Sequence, residues 1–135
     1  MQFIHLNKVF TTLILAILSL ASTAYAQEFP PKKTITMVVG FAPGGSADTA
    51  ARLIAKKLSE DLGQNVIVDN KPGAGGNIAH AFTANAATDG SVILFGSIGP
   101  LSIAPNLMKL PYDPLKDLAP LTMGVTFPNV LVVIP

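Results

Sequence analysis

Hydrophobic residues after position 33 alternate between short β-branched runs and longer runs with helical spacing. Residues 35–39, 65–69 and 91–95 are rich in Val and Ile, so they predict three strands. Between them, apolar side chains at helical spacing predict two helices over residues 47–62 and 77–87, the first closed by Gly63 as a C′ residue. Strands and helices that alternate through short links favour right-handed crossovers, so the pattern predicts a parallel α/β sheet flanked by helices.

The pattern is less regular after residue 100. Residues 101–110 predict a short helix interrupted by Pro105, and residues 121–123 predict a fourth strand. The chain ends on a Val-rich and Ile-rich run at residues 130–134, which resembles a strand buried on both faces. Such a strand needs other elements packed on both of its faces, and nothing follows it in the sequence. We therefore expect a truncated chain.

Each of the three predicted strands runs into a glycine-containing loop. In a parallel sheet these loops share the carboxyl edge, where open α/β sheets bind their ligands. In the first loop, Pro43 restricts its own φ while Gly44 and Gly45 permit positive φ, so backbone N–H groups can point outward. The following helix start has unpaired N–H groups and a partial positive charge, which favour a carboxylate. The alternative is a loop that only connects strand to helix.

Four polar side chains in these loops each have two interpretations. Ser46 is interpreted as a helix N-cap rather than a nucleophile. Asp48 either compensates the dipole of the first helix or serves as a fixed acceptor at the rim of a ligand pocket. Asn77 is either a cap of the second helix or a ligand donor, and Ser97 is either a ligand donor or a turn residue.

Three catalytic or nucleotide-binding motifs fail when they are compared with these loops. Residues 40–45 have the spacing of a P-loop but lack its Lys, and residues 73–78 lack the last glycine of a dinucleotide fingerprint. Residues 44–48 approach a nucleophile elbow, with Asp48 in place of the final glycine. His80 is interpreted as an exposed or partly packed histidine. A small exported serine hydrolase that uses Ser46 and His80 remains a remote alternative.

Residues 1–26 have the form of a secretory signal, with Lys8, an apolar run over residues 9–20 and Ala24-Tyr25-Ala26 before the predicted cut. The alternative is a membrane anchor or buried helix, although the run is shorter than a span requires. Cleavage before Gln27 leaves eight basic and eight acidic residues, which gives no electrostatic case for nucleic acid. There is no cysteine, and His80 is the only histidine outside the signal, so we expect no disulfide, metal site or cofactor.

Six segments, in order, resemble the Bug (TctC-like) family, the periplasmic solute receptors of tripartite tricarboxylate transporters. The two longest are residues 41–48, Phe-Ala-Pro-Gly-Gly-Ser-Ala-Asp, and residues 70–77, Asn-Lys-Pro-Gly-Ala-Gly-Gly-Asn. The others are Asp-Gly at 89–90, Leu-Pro-Tyr-Asp-Pro at 110–114, Lys-Asp-Leu at 116–118 and Pro-Asn-Val-Leu-Val-Val at 128–133. The resemblance spans nearly all of the chain after the signal.

The resemblance implies a type II-like periplasmic-binding-protein fold, in which two α/β lobes close on a small ligand, usually a carboxylate. Residues 27–135 would form an incomplete N-terminal lobe, since family members are about twice as long. The implied partners are a small carboxylate or similar anion and the membrane components of the transporter; no enzyme activity is implied. Carried onto this chain, the ligand-binding residues are Phe41, Pro43, Gly44, Gly45, Ser46, Asp48, Gly73, Gly75, Gly76, Asn77 and Ser97.

The leading hypothesis is therefore a periplasmic carboxylate receptor that is present here as a fragment. Half a cleft cannot enclose a ligand, so the fragment is expected to bind weakly or not at all. The second hypothesis is a non-functional fragment, prone to aggregation because its last apolar strand lacks partners.

Overall fold

A computed structural model describes residues 33–128. The predicted signal sequence at residues 1–26 and the predicted last strand at residues 130–134 lie outside the described part. The regular elements, in chain order, are β1 (Ile35–Val39), α1 (Ser46–Leu62), β2 (Val66–Asn70), α2 (Asn77–Ala84), β3 (Val92–Phe95) and α3 (Ala104–Leu107). A 3₁₀ turn, Ala74–Gly76, precedes α2, and a π-helical turn, Gly99–Ile103, precedes α3.

The three strands form a parallel sheet in the order β2-β1-β3. The last residue of β1, Val39, lies opposite Asn70 of β2 and Phe95 of β3, so all three strands end at the same level. The predicted α/β class with a parallel sheet is confirmed. Because β1 is central, the loop that follows it has the other two loops as its neighbours.

The sheet is covered by a helix on each face. Ile35, Met37 and Val39 point to one face, where they pack with Ala51 and Ala55 of α1 in a buried cluster. Alternate residues of a strand face opposite sides, so Val38 points the other way, and it is fully buried on the side of α2. The small alanines of α1 allow the helix to lie close to the strands. This packing holds the first turn of α1 at the end of the first loop.

The N-terminus of α1 differs from the prediction. The N-cap is Gly45, which is extended at φ −81° and ψ 174°, and no side chain caps the helix. Ser46 is already the first helical residue and is exposed, so its interpretation as the N-cap is wrong. The reason is that an N-cap must keep an extended backbone, and the chain remains extended only through Gly45. At the other end, Gly63 has φ +62° and closes α1 as predicted.

Three later predictions also need correction. Helix α2 ends at Ala84 rather than near residue 87, because Asn85 leaves helical geometry and its side-chain amide donates to the Ala81 carbonyl. Pro105 lies in the first turn of α3, where its missing N–H costs nothing, and it does not interrupt a longer helix. Residues 121–123 form no strand, since no described strand lies beside them to complete a ladder.

Candidate functional site

The three loops at the carboxyl edge of the sheet touch one another through glycines. A Cβ on Gly40, at the start of the first loop, would lie 2.9 Å from the Cα of Gly76 in the second loop. A Cβ on Gly76 would lie 3.2 Å from Pro100 Cγ and 3.7 Å from Ser97 Oγ, both beyond the third strand. The predicted placement of the loops at one edge is thus present, and backbone approaches backbone there without intervening side chains.

Asp48 is the most highly connected side chain of the first loop and is only 4% exposed. Its carboxylate accepts hydrogen bonds from the Gly44 N–H, from Arg52 Nε and from Asn70 Nδ2, each at 2.9 Å. The bond from Arg52, followed by those from Gly44 and Asn70, holds the pKa of Asp48 well below its usual range. Asp48 is therefore a fixed, ionised acceptor in the first turn of α1, and its donors belong to the protein itself.

Asn70 and Arg52 are residues that the sequence interpretation missed. The Asn70 amide donates both to Asp48 Oδ1 and to the Phe41 carbonyl, at 3.0 Å, while its oxygen accepts from Arg52 Nη2 at 3.0 Å. The spacing of Asp48 and Arg52, four residues apart on one helix, is a detectable signal for the ion pair. Asn70 joins them only because the sheet register places the end of β2 beside the first loop.

The network leaves the outer side of the first loop open. Residues 41–46 are exposed, and Phe41 retains 40% of its accessible surface. The N–H groups in the first turn of a helix have no acceptor within that helix, and those of Ser46 and Ala47 have no other partner among residues 33–128. This combination of exposed donors and the positive end of α1 is suited to an anionic oxygen.

The second loop has a run of left-handed backbone from Gly73 to Gly76, which includes Ala74 at φ +47°. Gly76 occupies the cap position of α2 at φ +98°, so the interpretation of Asn77 as the cap is wrong. Asn77 instead folds back: its Nδ2 donates to the Ala74 carbonyl at 2.9 Å, and its Oδ1 accepts from Tyr112 Oη at 2.9 Å. Tyr112 is a further residue that the sequence interpretation missed.

His80 is buried beneath the second and third loops, with 1% of its surface exposed, so its interpretation as exposed or partly packed is wrong. Its Nδ1 lies 2.9 Å from the Gly76 carbonyl, which can only accept, and its Nε2 accepts the Ser97 N–H at 3.4 Å. Because Nε2 accepts and Nδ1 faces a carbonyl, the bonds place one proton on Nδ1 and none on Nε2; burial lowers the pKa of His80, which favours the same neutral ring. With both ring nitrogens bonded to backbone, His80 is not arranged as a base for Ser46.

Ser97 lies where the third loop faces the second. Its Oγ is buried and has no hydrogen-bond partner within the described residues. A buried hydroxyl without a partner is unusual, so Ser97 is kept as a candidate donor.

Metal-binding clusters and membrane-spanning helices are two further kinds of feature that a chain of this class could carry. Within residues 33–128, no three His, Cys, Asp or Glu side chains come together in a way that could hold a metal ion. None of the helices in that range has both the length and the apolar character that crossing a bilayer requires.

Two carboxylates give the fold an expected acid sensitivity. A second aspartate, Asp89, accepts from Lys33 Nζ at 2.6 Å and from the backbone and hydroxyl of Ser91, and these bonds hold its pKa below the ordinary 3.8. For Asp48 and Asp89 the folded pKa lies below the unfolded one, so their contribution is complete above about pH 4 and is lost as the pH falls further. Melting temperature measured by circular dichroism is expected to be level from pH 5 to 7 and to fall steeply below pH 4.

The exposed Asp61, which pairs with Lys57 on the surface of α1, offers a matched control for this acid response. Asp89→Asn is expected to reduce the fall of the melting temperature below pH 4, whereas Asp61→Asn is expected to leave that fall as it is in the unaltered chain. An equal fall of the melting temperature below pH 4 in the two variants would contradict the stabilising role given to Asp89.

Comparison with known proteins identifies the group to which the chain belongs. The model of the "tripartite tricarboxylate transporter family receptor" matches residues 50–135. Protein BugT of Bordetella pertussis is 45% identical over 107 residues, which are 78% of this chain and 33% of BugT. A UPF0065 protein of Pseudomonas sp. strain P51 is 38% identical over 127 residues, 94% of this chain and 38% of that protein. The chain thus spans between a third and two fifths of these relatives.

Solved structures agree with the family match. MatC from Rhodopseudomonas palustris with bound malate is 44% identical, with a TM-score of 0.61 over 64% of this chain and 30% of MatC. A periplasmic transporter is 41% identical, with a TM-score of 0.62 over 66% of this chain and 30% of its own. An R. palustris protein with adipate is 38% identical, with a TM-score of 0.59 over 65% of this chain and 29% of its own.

The parallel sheet with flanking helices is consistent with part of one lobe of such periplasmic binding proteins. The matched family consists of receptors rather than enzymes. On the match over residues 50–135, this chain belongs to the tripartite tricarboxylate transporter receptor family, the Bug (TctC-like) periplasmic solute-binding receptors.

Proposed function

We propose that this chain supplies the ligand-binding loops of one lobe of an extracytoplasmic receptor, which takes up small carboxylates for a tripartite tricarboxylate transporter. The observation that carries the proposal is the direct contact of the first and second loops at Gly40 and Gly76, beside the open N-terminus of α1. The contact gathers backbone donors from two loops on one exposed edge. Backbone donors of this kind read charge and shape, as carboxylate recognition requires.

Electrostatics of the first loop support an anionic ligand. Asp48 is ionised, and an isolated negative charge at this position would repel a carboxylate. Arg52 neutralises it through the 2.9 Å bond between Nε and the Asp48 carboxylate, and Asn70 takes up the second carboxylate oxygen. We propose that Asp48 acts mainly by holding Gly44 and the loop in place, so that the first-turn donors of Ser46 and Ala47 face the ligand.

The remaining candidate contacts lie around those donors. In the proposal the ligand is surrounded by residues of all three loops, with the hydroxyl of Ser97 as the one buried side-chain donor still without a partner in the described region. The proposed set is Phe41, Pro43, Gly44, Gly45, Ser46, Asp48, Gly73, Gly75, Gly76, Asn77 and Ser97.

Relatives indicate which carboxylates to use as probes. The MatC structure contains bound malate, and the structure of the other R. palustris protein contains adipate. The two ligands are dicarboxylates of different length. A carboxylate at one end of either molecule presents the same two oxygens to the loops. We therefore propose a dicarboxylate or a similar small anion as the ligand class of this chain.

Residues 27–135 are proposed to act as one wall of a two-lobed cleft in the periplasm, reached through the predicted signal at residues 1–26. Because a closed cleft draws its affinity from burying most of the ligand, a single wall is expected to bind weakly. The test must therefore detect weak, local binding.

Titration of the ¹⁵N-labelled chain with malate or adipate, followed by amide chemical shifts, meets that need. The amides of Ser46, Ala47 and Gly75 are expected to move together with one dissociation constant, because one carboxylate contacts them all. The dimethyl ester of malate keeps the carbon skeleton without the charge and is expected to move none of them. Shifts confined to the lysines of α1, or no shifts at millimolar malate, would contradict the proposal.

A further inference from the structure

Tyr112 lies in the turn after α3, far in sequence from the first two loops, yet its side chain reaches beneath the second loop. The residue is 7% exposed. Its Oη lies 2.9 Å from Asn77 Oδ1 and 3.0 Å from the Pro100 carbonyl, both of which accept. The single hydroxyl proton can serve one acceptor at a time, so Tyr112 links the second loop to the third through a shared donor.

The Asn77 amide lies between Tyr112 and the Ala74 carbonyl. The carbonyl can only accept, so it faces Nδ2 at 2.9 Å, and Oδ1 therefore faces the tyrosine hydroxyl, which donates to it at 2.9 Å. Ala74 has φ +47°, a backbone conformation that costs energy in any residue other than glycine, so it needs support from its surroundings. The Asn77 side chain supplies part of that support.

The direction of one peptide plane follows from this bond together with a second one, in which the Asn77 backbone N–H donates to the same Ala74 carbonyl. The Ala74 carbonyl and the Gly75 N–H belong to the same trans peptide, and they point in opposite directions. With the carbonyl held towards Asn77, the Gly75 N–H points away from the start of α2, in a segment whose residues 73–75 are exposed. The hydroxyl of Tyr112 is thus linked to this donor of the second loop through two hydrogen bonds.

A second bridge runs parallel to the first. The His80 ring stacks on the Tyr112 ring at 6.2 Å between centroids and 28° between planes, and it joins the Gly76 carbonyl to the Ser97 N–H. The aromatic pair therefore connects the second and third loops at two levels. Removal of the tyrosine hydroxyl alone would leave the stacked ring and the histidine bridge in place.

From this chain of contacts we infer that Tyr112 is a positioning residue for carboxylate binding, acting through Asn77 and Ala74 to aim the Gly75 N–H at the ligand. The inference rests on the proposed function for its consequence in binding, but the orientation of the peptide is independent of any ligand. The two parts can therefore be tested separately.

The first measurement uses the ligand-free, ¹⁵N-labelled full chain with Tyr112→Phe, which keeps the ring. The side-chain amide of Asn77 and the backbone amides of Ala74 and Gly75 are expected to shift, while the amides of Gly44 and Ala47 stay in place. Asn77→Ala is expected to give the same changes at Gly75, and the double variant no more than either alone, because both interrupt one relay.

The second measurement is malate titration of the same variants. Tyr112→Phe is expected to raise the dissociation constant of malate, read from the Gly75 amide shift, by about fivefold. This is the effect of losing one hydrogen bond. Ser102→Ala, which removes an exposed hydroxyl from the turn before α3, serves as the matched control and is expected to bind as the unaltered chain does.

The outcomes separate the two ideas. If malate moves no amide of the unaltered chain while Tyr112→Phe still shifts Ala74 and Gly75, the proposed function fails and the positioning of the loop stands. If Tyr112→Phe lowers the melting temperature but leaves the Ala74 and Gly75 amides unchanged, the hydroxyl has only a structural role and the inference is overturned.

Discussion

Gly40→Ala is expected to destabilise the protein by about 1 to 3 kcal/mol and to separate the first loop from the second. The added Cβ would lie 2.9 Å from Gly76 Cα, 3.2 Å from the Gly76 carbonyl and 3.3 Å from Ala79 Cβ. Two of these three atoms are backbone. Gly76 is itself bonded to the Gly73 carbonyl through its N–H and to His80 Nδ1 through its carbonyl, so no flexible side chain can give way. Thermal unfolding followed by circular dichroism measures the loss of stability.

Gly99→Ala is the matched control for that substitution. Its Cβ would meet only the Gly75 carbonyl, at 4.0 Å, which is ordinary contact. The free energy of unfolding of Gly99→Ala is expected to lie within about 0.5 kcal/mol of that of the unaltered chain. Equal melting of the two variants would show that the contact between Gly40 and Gly76 does not hold the loops together.

Asp48→Ala is expected to have the second large effect, because it removes one acceptor from three donors at once. The Gly44 N–H, Arg52 Nε and Asn70 Nδ2 would all lose a 2.9 Å partner. We expect the Gly44 amide to exchange with solvent about tenfold faster, the melting temperature to fall and carboxylate binding to weaken. Hydrogen exchange by nuclear magnetic resonance measures the first change, circular dichroism the second, and malate titration followed by amide shifts the third.

Asp61→Ala is a matched control on the same helix, since Asp61 also pairs with a basic residue four positions away but is exposed. Exposed pairs contribute little, so this variant is expected to leave the Gly44 amide and binding unchanged. Unaltered malate affinity in Asp48→Ala would remove Asp48 from the proposed site, even if the loop became more mobile.

Local patterns account for the parts of the fold that were predicted. Alternating β-branched runs, helical spacing and Gly63 are properties of neighbouring residues, so the three strands, α1 and its end could be deduced from them. The common edge of the three loops followed from parallel topology. The predicted fourth strand at residues 121–123 was wrong because a strand also needs a partner, which a local apolar run does not supply.

The candidate site divides in the same way. Glycines at 40–45 and 73–76 are visible in the sequence and indicate tight loops before helices. The bonds that hold those loops join residues far apart: Asp48 to Asn70 and Asn77 to Tyr112. Such pairs leave no local periodicity, so Asn70 and Tyr112 were missed.

The sequence by itself determined the sheet, the glycine loops and the family resemblance, because each of these depends on short, ordered segments. Only the tertiary structure decided that Gly45 and not Ser46 is the N-cap of α1, that His80 is buried, and that Asp48 is surrounded by the protein's own donors. The physical reason is that backbone φ, burial and hydrogen-bond partners are set by what lies opposite a residue in space.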